Sequence, residues 1–196
     1  MIRDTVLGEE LALETAAGLF SPGHIDRGTL AMLSVAPFTP GMKVMDLGCG
    51  CGVVGILAAK KCGAENVWMS DVDPKAVEIA LHNAKFNDVS GVHCVVSDGF
   101  DNVDAAGFDL ILSNPPYQSD FAVAKRFIEK GFNRLKIGGT LLMVVKRRDW
   151  YKNKLSAIFG GVKIHEIDGY FVFEAQRRMA HYAGKKNKTA RQLPQT

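Results

Sequence analysis

Asparagine, two prolines and a tyrosine stand together after an apolar run, in the stretch SNPPYQSD that covers residues 113–120. The side-chain oxygen of Asn114 and the backbone carbonyl of Pro115 can each accept a hydrogen bond, so together they could hold one planar NH2 group. The ring of Tyr117 could stack on the base or amide that carries this group. Pro115 and Pro116 also prevent a helix from beginning here. The stretch therefore predicts either a site for a planar amine or a rigid double-proline turn.

Two acceptors on one NH2 group would change its reactivity. The lone pair of such an amine is delocalised, and the free amine is a poor nucleophile. Two hydrogen bonds that pull on its hydrogens favour a pyramidal nitrogen and direct the lone pair at an electrophile. Catalysis would then depend on positioning and electrostatics, and no dedicated general base is evident.

A glycine-rich stretch, DLGCGCG, covers residues 46–52. Its glycines allow a sharp turn and a close approach of the backbone to a ligand at a helix N-terminus. Glycines 50, 52 and 55 also fit the G-x-G-x-x-G pattern of dinucleotide sites. Asp46 argues against a dinucleotide, because its carboxylate would repel a pyrophosphate but would suit an ammonium group such as that of S-adenosylmethionine. A glycine-rich turn that binds no ligand is the third interpretation.

Acidic residues follow two further apolar runs. Asp71, in WMSDVDP, could accept hydrogen bonds from the hydroxyls of a ribose, and Asp98, in VVSDGF, could accept one from the amino group of adenine. Asp73 precedes Pro74 and is better interpreted as a helix cap. Each acidic residue could also cap a turn. Their place at the ends of three successive strands favours a ligand, because open α/β sheets bind ligands across the carboxyl ends of their strands.

Short apolar runs alternate with stretches of helical spacing, which predicts an α/β fold. It is Rossmann-like, with a seven-stranded, mostly parallel sheet and helices on both faces. The Asp168-Gly169 pair predicts a closing hairpin, so the C-terminal strand should be antiparallel. The fourth strand should lie beside the first. The predicted strands are 43–47, 66–70, 92–96, 108–113, 140–145, 162–167 and 170–175, and the predicted helices are 52–62, 74–86, 120–135 and 149–159.

Composition is typical of a soluble globular protein. Of the 196 residues, 47% are hydrophobic and 23% are charged, and the net charge of +3 is too small to indicate a polyanionic partner by itself. The four cysteines show no metal-ligand spacing and are expected to be reduced thiols. No apolar run approaches the length of a membrane span, and no signal-like segment begins the chain. We therefore expect a cytoplasmic protein without a metal or a membrane partner.

The motifs DLGCGCG, SDVDP, SDGF and NPPY together resemble those of class I S-adenosylmethionine-dependent methyltransferases that act on amines. With GLFSPGHIDRGT at residues 18–29, the sequence resembles the small methyltransferase domain family, which includes bacterial 16S ribosomal RNA guanine-N2 methyltransferases. The resemblance extends from about residue 18 to residue 178. The best-known of these enzymes carry a second, degenerate copy of the domain, which this sequence does not include. A monomer or a homodimer that supplies the missing surface is therefore expected.

The resemblance implies a role for each motif residue. Asn114, Pro115, Pro116 and Tyr117 would hold the target amine, and the segment before residue 30 would cover the site. The covering segment is residues 20–29, which could equally be a Pro-Gly turn followed by a helix that Asp26 caps and that begins near Gly28. The implied cofactor-binding residues are Thr29, Asp46, Gly48, Cys49, Gly50, Asp71, Val72, Asp98, Gly99 and Asn114. The predicted organisation is one methyltransferase domain at residues 1–176, with 1–36 as an N-terminal cap segment, and a basic, disordered tail at 177–196.

A basic stretch, VVKRRDWYKNK, leaves the fifth predicted strand on the same edge as the site. Its cationic side chains could contact phosphates and its aromatic rings could stack on bases. The alternative is a solvated helix start whose aromatic residues fold inward. The tail could bind RNA nonspecifically or only increase solubility. The predicted RNA-binding residues are Lys146, Arg147, Arg148, Trp150 and Lys152.

Three functions remain open at this stage. The first is methylation of the N2 amine of a guanine in 16S ribosomal RNA, with ribosomal RNA or the small subunit as partner. The second keeps the chemistry but takes another planar amine, the N5 of a protein glutamine or the N6 of adenine. The third is a nonenzymatic or nicotinamide-binding module, which would bind NAD rather than S-adenosylmethionine.

Overall fold

A computed structural model describes residues 1–15, 24–115 and 121–184, and within them the chain forms nine strands, five α-helices and one short 3-10 helix (Ala64–Asn66). The strands are β1 (Ile2–Val6), β2 (Glu9–Leu13), β3 (Val44–Leu47), β4 (Val67–Asp71), β5 (His93–Val96), β6 (Phe108–Ser113), β7 (Leu135–Val145), β8 (Lys163–Ile167) and β9 (Tyr170–Gln176). The helices are α1 (Arg27–Ser34), α2 (Val53–Cys62), α3 (Pro74–Phe86), α4 (Phe121–Arg134) and α5 (Asp149–Phe159).

Seven strands form one sheet in the order β5-β4-β3-β6-β7-β9-β8. The first five of these strands pair in parallel, whereas β9 is antiparallel to both β7 and β8. The predicted fold class is confirmed, including the position of β6 beside β3. The chain reverses its direction of winding between these two strands, and open α/β sheets bind ligands at such a point.

Successive side chains of the central strands pack on opposite faces of the sheet. Leu142 and Val144 of β7 join the core beneath α1, α2 and α3, whereas Leu141 and Met143 join the core beneath α4 and α5. The strands are therefore buried on both faces, which explains why they appear in the sequence as continuous apolar runs.

The predicted caps and turns are also present. Asp73 caps α3 by accepting a hydrogen bond from the Lys75 amide at 2.9 Å, and Pro74 is the first helical residue. Asp168 and Gly169 both have positive φ, at 51° and 76°, as a two-residue hairpin turn between β8 and β9 requires.

The antiparallel pair β1 and β2 was not predicted. Its first strand, IRDTV, is mostly polar and exposed, so it carries no apolar run. The pair contributes Val6, Leu11 and Leu13 to the core above α2 and α3. Only this tertiary packing makes the two short strands stable, because an isolated hairpin is marginal in water.

Two buried asparagines, Asn83 of α3 and Asn87 directly after this helix, hold β2 in place. Asn83 accepts a hydrogen bond from the Glu14 amide and donates to the Glu14 and Cys51 carbonyls, at 2.8 to 2.9 Å. Asn87 accepts from the Ala12 amide and donates to the Ala12 carbonyl, at 3.0 and 2.7 Å. The two side-chain amides thus pair with the backbone of β2 and of Glu14 as a neighbouring strand would. Asn83 also connects the hairpin to the glycine-rich stretch, through its hydrogen bond to the Cys51 carbonyl.

Residues 177–184, which follow the predicted domain boundary at residue 176, contact the body of the domain. Arg177 lies over the ring of Phe132 and donates hydrogen bonds to backbone carbonyls, and Tyr182 packs edge-on against the same ring. The amides of Ala183 and Gly184 donate to the end of α5. The rest of the predicted tail, 185–196, lies outside the described residues.

Two absences apply to the described parts of the chain. No helix there is long and apolar enough to cross a membrane. No group of three or more histidine, cysteine, aspartate or glutamate side chains there is arranged to hold a metal ion.

We predict that replacing Asn83 with alanine frees the β1–β2 hairpin from α3. The loss of three hydrogen bonds at a fully buried side chain should lower the free energy of unfolding by about 2 kcal/mol. Urea unfolding measures this, and amide hydrogen exchange at Ala12 and Glu14 should accelerate. The matched control is Glu78→Ala on the exposed side of the same helix, where we expect less than about 0.5 kcal/mol. Equal losses of stability in the two variants would contradict the role of Asn83 in holding the hairpin.

Candidate functional site

A cavity of about 480 Å³ lies at the carboxyl ends of β3, β4, β5 and β6. This volume is within the range of small-molecule and cofactor sites. Every predicted cofactor-binding residue lines it, together with Pro115. The predicted Pro116 and Tyr117 lie outside the described residues. The lining residues from the sequence prediction are Thr29, Asp46, Gly48, Cys49, Gly50, Asp71, Val72, Asp98, Gly99, Asn114 and Pro115.

Asp46 lies at the end of the central strand β3 and is only 2% exposed. Burial raises the pKa of its carboxyl group to about 7, opposed by a hydrogen bond from the Gly55 amide to Oδ2 at 2.9 Å and reinforced by the negative charge of Asp71. A buried carboxylate without a cationic partner is costly. A ligand cation beside Asp46 would therefore stabilise its ionised form.

The glycine-rich stretch is held by backbone hydrogen bonds to β4. The amides of Gly48 and Cys49 both donate to the Ser70 carbonyl, at 2.9 and 3.0 Å. Gly48, Gly50 and Gly52 have positive φ, which a residue with a side chain rarely adopts. Gly55 has a different role, because a Cβ there would lie 2.2 Å from the Met69 sulfur. The absence of a side chain at residue 55 lets α2 pack closely on β4.

Asp71 and Asp98 have different environments. Asp71 accepts hydrogen bonds from the Gly50 amide at 2.9 Å and the Asp73 amide at 3.0 Å, so its carboxylate is fixed at the rim of the cavity. Asp98 is exposed and forms an ion pair with Arg126 of α4. Val72, which is 67% exposed, adds an apolar surface beside them. The carboxylate of Asp71 is therefore preorganised as a hydrogen-bond acceptor, whereas Asp98 already has a cationic partner.

Asn114 follows β6 and has a defined amide orientation. Its Nδ2 donates to Asp26 Oδ2 and to Thr29 Oγ1, each at 2.9 Å. Its Oδ1 is buried and accepts no hydrogen bond from the described residues. An unsatisfied buried acceptor is costly, by about 1–3 kcal/mol, and such groups concentrate at functional sites.

Part of the cavity wall was not predicted from the sequence. The sequence interpretation assigned Asp26 only a capping role, and its contact with Asn114, 88 residues away, leaves no local signal. Val123 and Phe127 were assigned only to a predicted helix. The lining residues missed from the sequence include Ile2, Leu13, Thr15, His24, Ile25, Asp26, Val123 and Phe127.

The charges of the described cavity lining are unusual for a phosphate site. Asp26, Asp46, Asp71 and Asp98 all contribute, and no lysine or arginine does. A pyrophosphate bound there would meet the carboxylates of Asp26, Asp46 and Asp71 without a compensating lysine or arginine in the described lining. A ligand that carries an ammonium or sulfonium group fits this lining better.

The predicted RNA-binding residues lie outside the cavity. The guanidinium of Arg147 lies 5.5 Å from the ring of Phe121, which itself stacks on Trp150 at 4.4 Å. Phe121 begins the helix that follows the Asn-Pro-Pro-Tyr stretch, so this stack joins the basic stretch to the site. Tyr151 is buried at 7% exposure, which agrees with the alternative interpretation that aromatic residues of this stretch fold inward. Arg148 and Lys152 are exposed.

The model of the methyltransferase small domain matches residues 10–174, which is most of the chain. The chain belongs to the methyltransferase small domain family. This membership explains the carboxylate-lined cavity at the carboxyl ends of the strands. It also favours a methyltransferase over the nicotinamide-binding alternative.

Individual relatives are similar over most of this chain. The ribosomal RNA small subunit methyltransferase C of Hahella chejuensis (strain KCTC 2396) is 33% identical over 174 residues, which are 86% of this chain and 50% of the relative. The Bacillus subtilis (strain 168) protein YbxB is 30% identical over 176 residues, and the match covers 86% of this chain and 87% of YbxB. The chain thus spans about half the length of the first relative and most of the second.

A solved structure gives the same picture. The T. thermophilus 16S rRNA N2 G1207 methyltransferase, determined in complex with AdoMet and guanosine, is similar with a TM-score of 0.81 and 26% identity. The match covers 90% of this chain and 50% of that protein. The described fold is therefore that of one half of the solved enzyme.

We predict that Asp46 makes stability depend on pH. Its folded pKa of about 7 exceeds the ordinary value of 3.8, so the native state retains a proton that the unfolded state has lost. The contribution is complete below about pH 4, falls as pH rises, and is lost above about pH 7. The unfolding free energy of the wild type should thus fall relative to Asp46→Asn by up to about 1.4 kcal/mol per pH unit within this window.

Urea unfolding of the ligand-free protein from pH 5 to pH 8 measures this difference. Between pH 7.5 and pH 8 the two curves should become parallel. Parallel curves over the whole range would show that the carboxyl group of Asp46 is not protonated in the native state at these pH values.

Proposed function

We propose that the protein is an S-adenosylmethionine-dependent N-methyltransferase whose acceptor is the exocyclic N2 amine of a guanine in 16S ribosomal RNA. The observation that supports this proposal most directly is the hydrogen bonding of the Asn114 side chain. Its amide is fixed by Asp26 and Thr29, and its Oδ1 is left as a buried acceptor without a partner among the described residues. The N–H of an acceptor amine would supply the missing hydrogen bond once it displaced the atoms that cover Oδ1.

The lining of the cavity supports S-adenosylmethionine as the cofactor. Asp46 would face its ammonium group, and Asp71 would accept hydrogen bonds from its ribose hydroxyls. Val72 and Phe127 would provide apolar contacts for its adenine. When bound, this cofactor supplies a methyl group activated by the sulfonium. The described lining contains no lysine or arginine, and of its four aspartates only Asp98 is paired with a cation, Arg126 of α4.

The chain's own part in the reaction is to hold and polarise the acceptor amine. Asn114 Oδ1 and the Pro115 carbonyl would accept the two hydrogens of one NH2 group, which orients the nitrogen lone pair. The proton that the nitrogen loses after transfer would pass to solvent, because no general base is identified among the described residues of the cavity. Preorganised acceptors of this kind contribute through positioning and electrostatics.

The choice of 16S RNA is supported by the relatives and by the basic stretch. One similar protein is named for the ribosomal RNA of the small subunit, and the solved T. thermophilus enzyme for N2 of G1207 in 16S rRNA. Lys146, Arg147, Arg148, Trp150 and Lys152 are proposed to contact the RNA, since Arg147 and Trp150 flank the first residue of α4. Whether the active form is a monomer or a homodimer stays a prediction.

The deciding experiment offers a labelled methyl group from S-adenosylmethionine to unmodified 16S RNA, to small subunits and to total cell protein, in separate reactions. We expect label in RNA, recovered as N2-methylguanosine. Label recovered as N6-methyladenosine, or in protein glutamine alone, would retain the Asn114 chemistry but overturn the guanine acceptor. Stabilisation by NAD and not by S-adenosylhomocysteine in thermal shift would overturn the cofactor.

We predict opposite effects of two substitutions in the cavity. Asn114→Ala should lower kcat by at least about 100-fold, as the loss of one preorganised partner of a transition state does, and leave the cofactor Kd within about threefold. Asp71→Ala should instead weaken cofactor binding by about tenfold or more, because it removes an acceptor and releases the Gly50 amide. Calorimetry with S-adenosylhomocysteine and methyl-transfer kinetics separate the two. Wild-type kcat in Asn114→Ala would refute the mechanism.

We predict that Lys146, Arg147 and Arg148 contact RNA phosphates. Replacing the three with alanine should reduce the steepness of log K for RNA binding against log salt concentration by about 2. Each phosphate that is no longer neutralised removes about 0.7 from that slope. The matched control replaces Arg3 and Lys60, which line a second cavity beside the hairpin, together with Lys85, an exposed residue of α3, and should leave the slope unchanged. Equal slopes in both triple variants would remove the basic stretch from the RNA interface.

A further inference from the structure

Two residues of the N-terminal segment meet the side chain of Asn114. Asp26, the N-cap of α1, and Thr29, in its first turn, each accept a hydrogen bond from Asn114 Nδ2 at 2.9 Å. Asp26 and Asn114 are 88 residues apart in the chain, and Thr29 and Asn114 are 85 apart. Thr29 is 8% exposed, so the contact lies inside the protein.

This contact decides which end of the amide is available. A carboxylate can only accept hydrogen bonds, so Asp26 can pair with the Nδ2 end of Asn114 but would repel the Oδ1 end. Both hydrogens of Nδ2 are used by Asp26 and Thr29. The Oδ1 end is left without a partner among the described residues. The amide is therefore held in the one orientation in which it can accept a hydrogen bond from a substrate.

The carboxylate of Asp26 is itself held in place by the N-terminus of α1. Its Oδ2 accepts a second hydrogen bond, from the Thr29 amide at 2.9 Å, and the N-terminus of a helix stabilises a nearby negative charge. The helix is anchored to the sheet by Met32 and Leu33, which are fully buried. The position of Asn114 thus depends on a rigid element rather than on its own loop.

The carboxylate also affects the acceptor strength of Asn114. An amide whose NH2 group donates to an anion carries more negative charge on its oxygen, because hydrogen bonds in a chain polarise one another. Asp26 would therefore strengthen the hydrogen bond that Oδ1 makes to the acceptor amine.

We propose that Asp26 and Thr29 are positioning residues that hold the Asn114 amide with Oδ1 as its free acceptor. This inference rests on the proposed function for the role of Asn114 in methyl transfer. The competing interpretation is that Asp26 only caps α1 and that Thr29 only contacts the cofactor.

The test uses the double variant Asp26→Asn with Thr29→Val. Asparagine is as good an N-cap as aspartate, and valine has nearly the shape of threonine, so the helix is preserved while the anion and the hydroxyl acceptor are removed. We expect kcat to fall by about 100-fold and the Kd of S-adenosylhomocysteine to stay within about threefold. In an Asn114→Ala background the same double change should have no further effect, since it acts through Asn114.

Two single variants serve as controls. Thr29→Ser keeps the hydroxyl acceptor, and we expect it to retain clearly more activity than Thr29→Val, as rescue by the conservative variant. Ser34→Ala removes the hydrogen bond from Ser34 Oγ to the Ala31 carbonyl at the other end of α1 and should leave kcat unchanged. A loss in Ser34→Ala as large as in the double variant would show that kcat follows the stability of α1, and would overturn the positioning role.

A second readout does not depend on activity. The side-chain NH2 resonance of Asn114 in the 15N-labelled protein, identified by its loss in Asn114→Ala, should exchange slowly with solvent in the wild type and rapidly in the double variant. Fast exchange in the wild type would overturn the inference. A parallel loss of kcat and cofactor affinity would also overturn it, in favour of a cofactor contact. If the wild type transferred no methyl group to any acceptor, the proposed function would fail, and the resonance would still decide the orientation of Asn114.

Discussion

Parallel pairing of β3 with β4 and β6 is the constraint on which the site depends. Because these strands run in one direction, their carboxyl ends meet at one edge, and residues far apart in the chain become neighbours. Asp46, Asp71 and Asn114 each stand at or directly after a strand end. The same pairing buries the strands on both faces, so the positions of these side chains are set by the packed core rather than by the loops.

The hairpin and helix α1 add further walls and contacts to the site at the sheet edge. Asn83 holds the hairpin and also binds the Cys51 carbonyl, so the wall of the cavity and the glycine-rich stretch share one anchor. Helix α1 places Asp26 and Thr29 against Asn114. The described N-terminal residues are therefore a structural part of the site.

Electrostatics distinguish this cavity from a phosphate site of similar shape. The glycine spacing fits both kinds of ligand, and Gly55 is required by the packing of α2 against Met69 whichever ligand binds. The decisive features are the buried carboxyl group of Asp46 and the absence of lysine and arginine from the described lining. A cationic ligand would relieve the cost of burying that charge.

The sequence by itself determined the fold class, the C-terminal hairpin, most element boundaries, the caps and the acidic strand ends, because each depends on local apolar periodicity or on turn chemistry. It also placed every predicted cofactor residue on what proved to be one cavity. Tertiary structure alone decided the β1–β2 hairpin, the ordered contacts of residues 177–184, the ion pair of Asp98 with Arg126 and the contact of Asp26 with Asn114. These features depend on contacts between segments distant in the chain, and such contacts leave no pattern in the neighbouring residues.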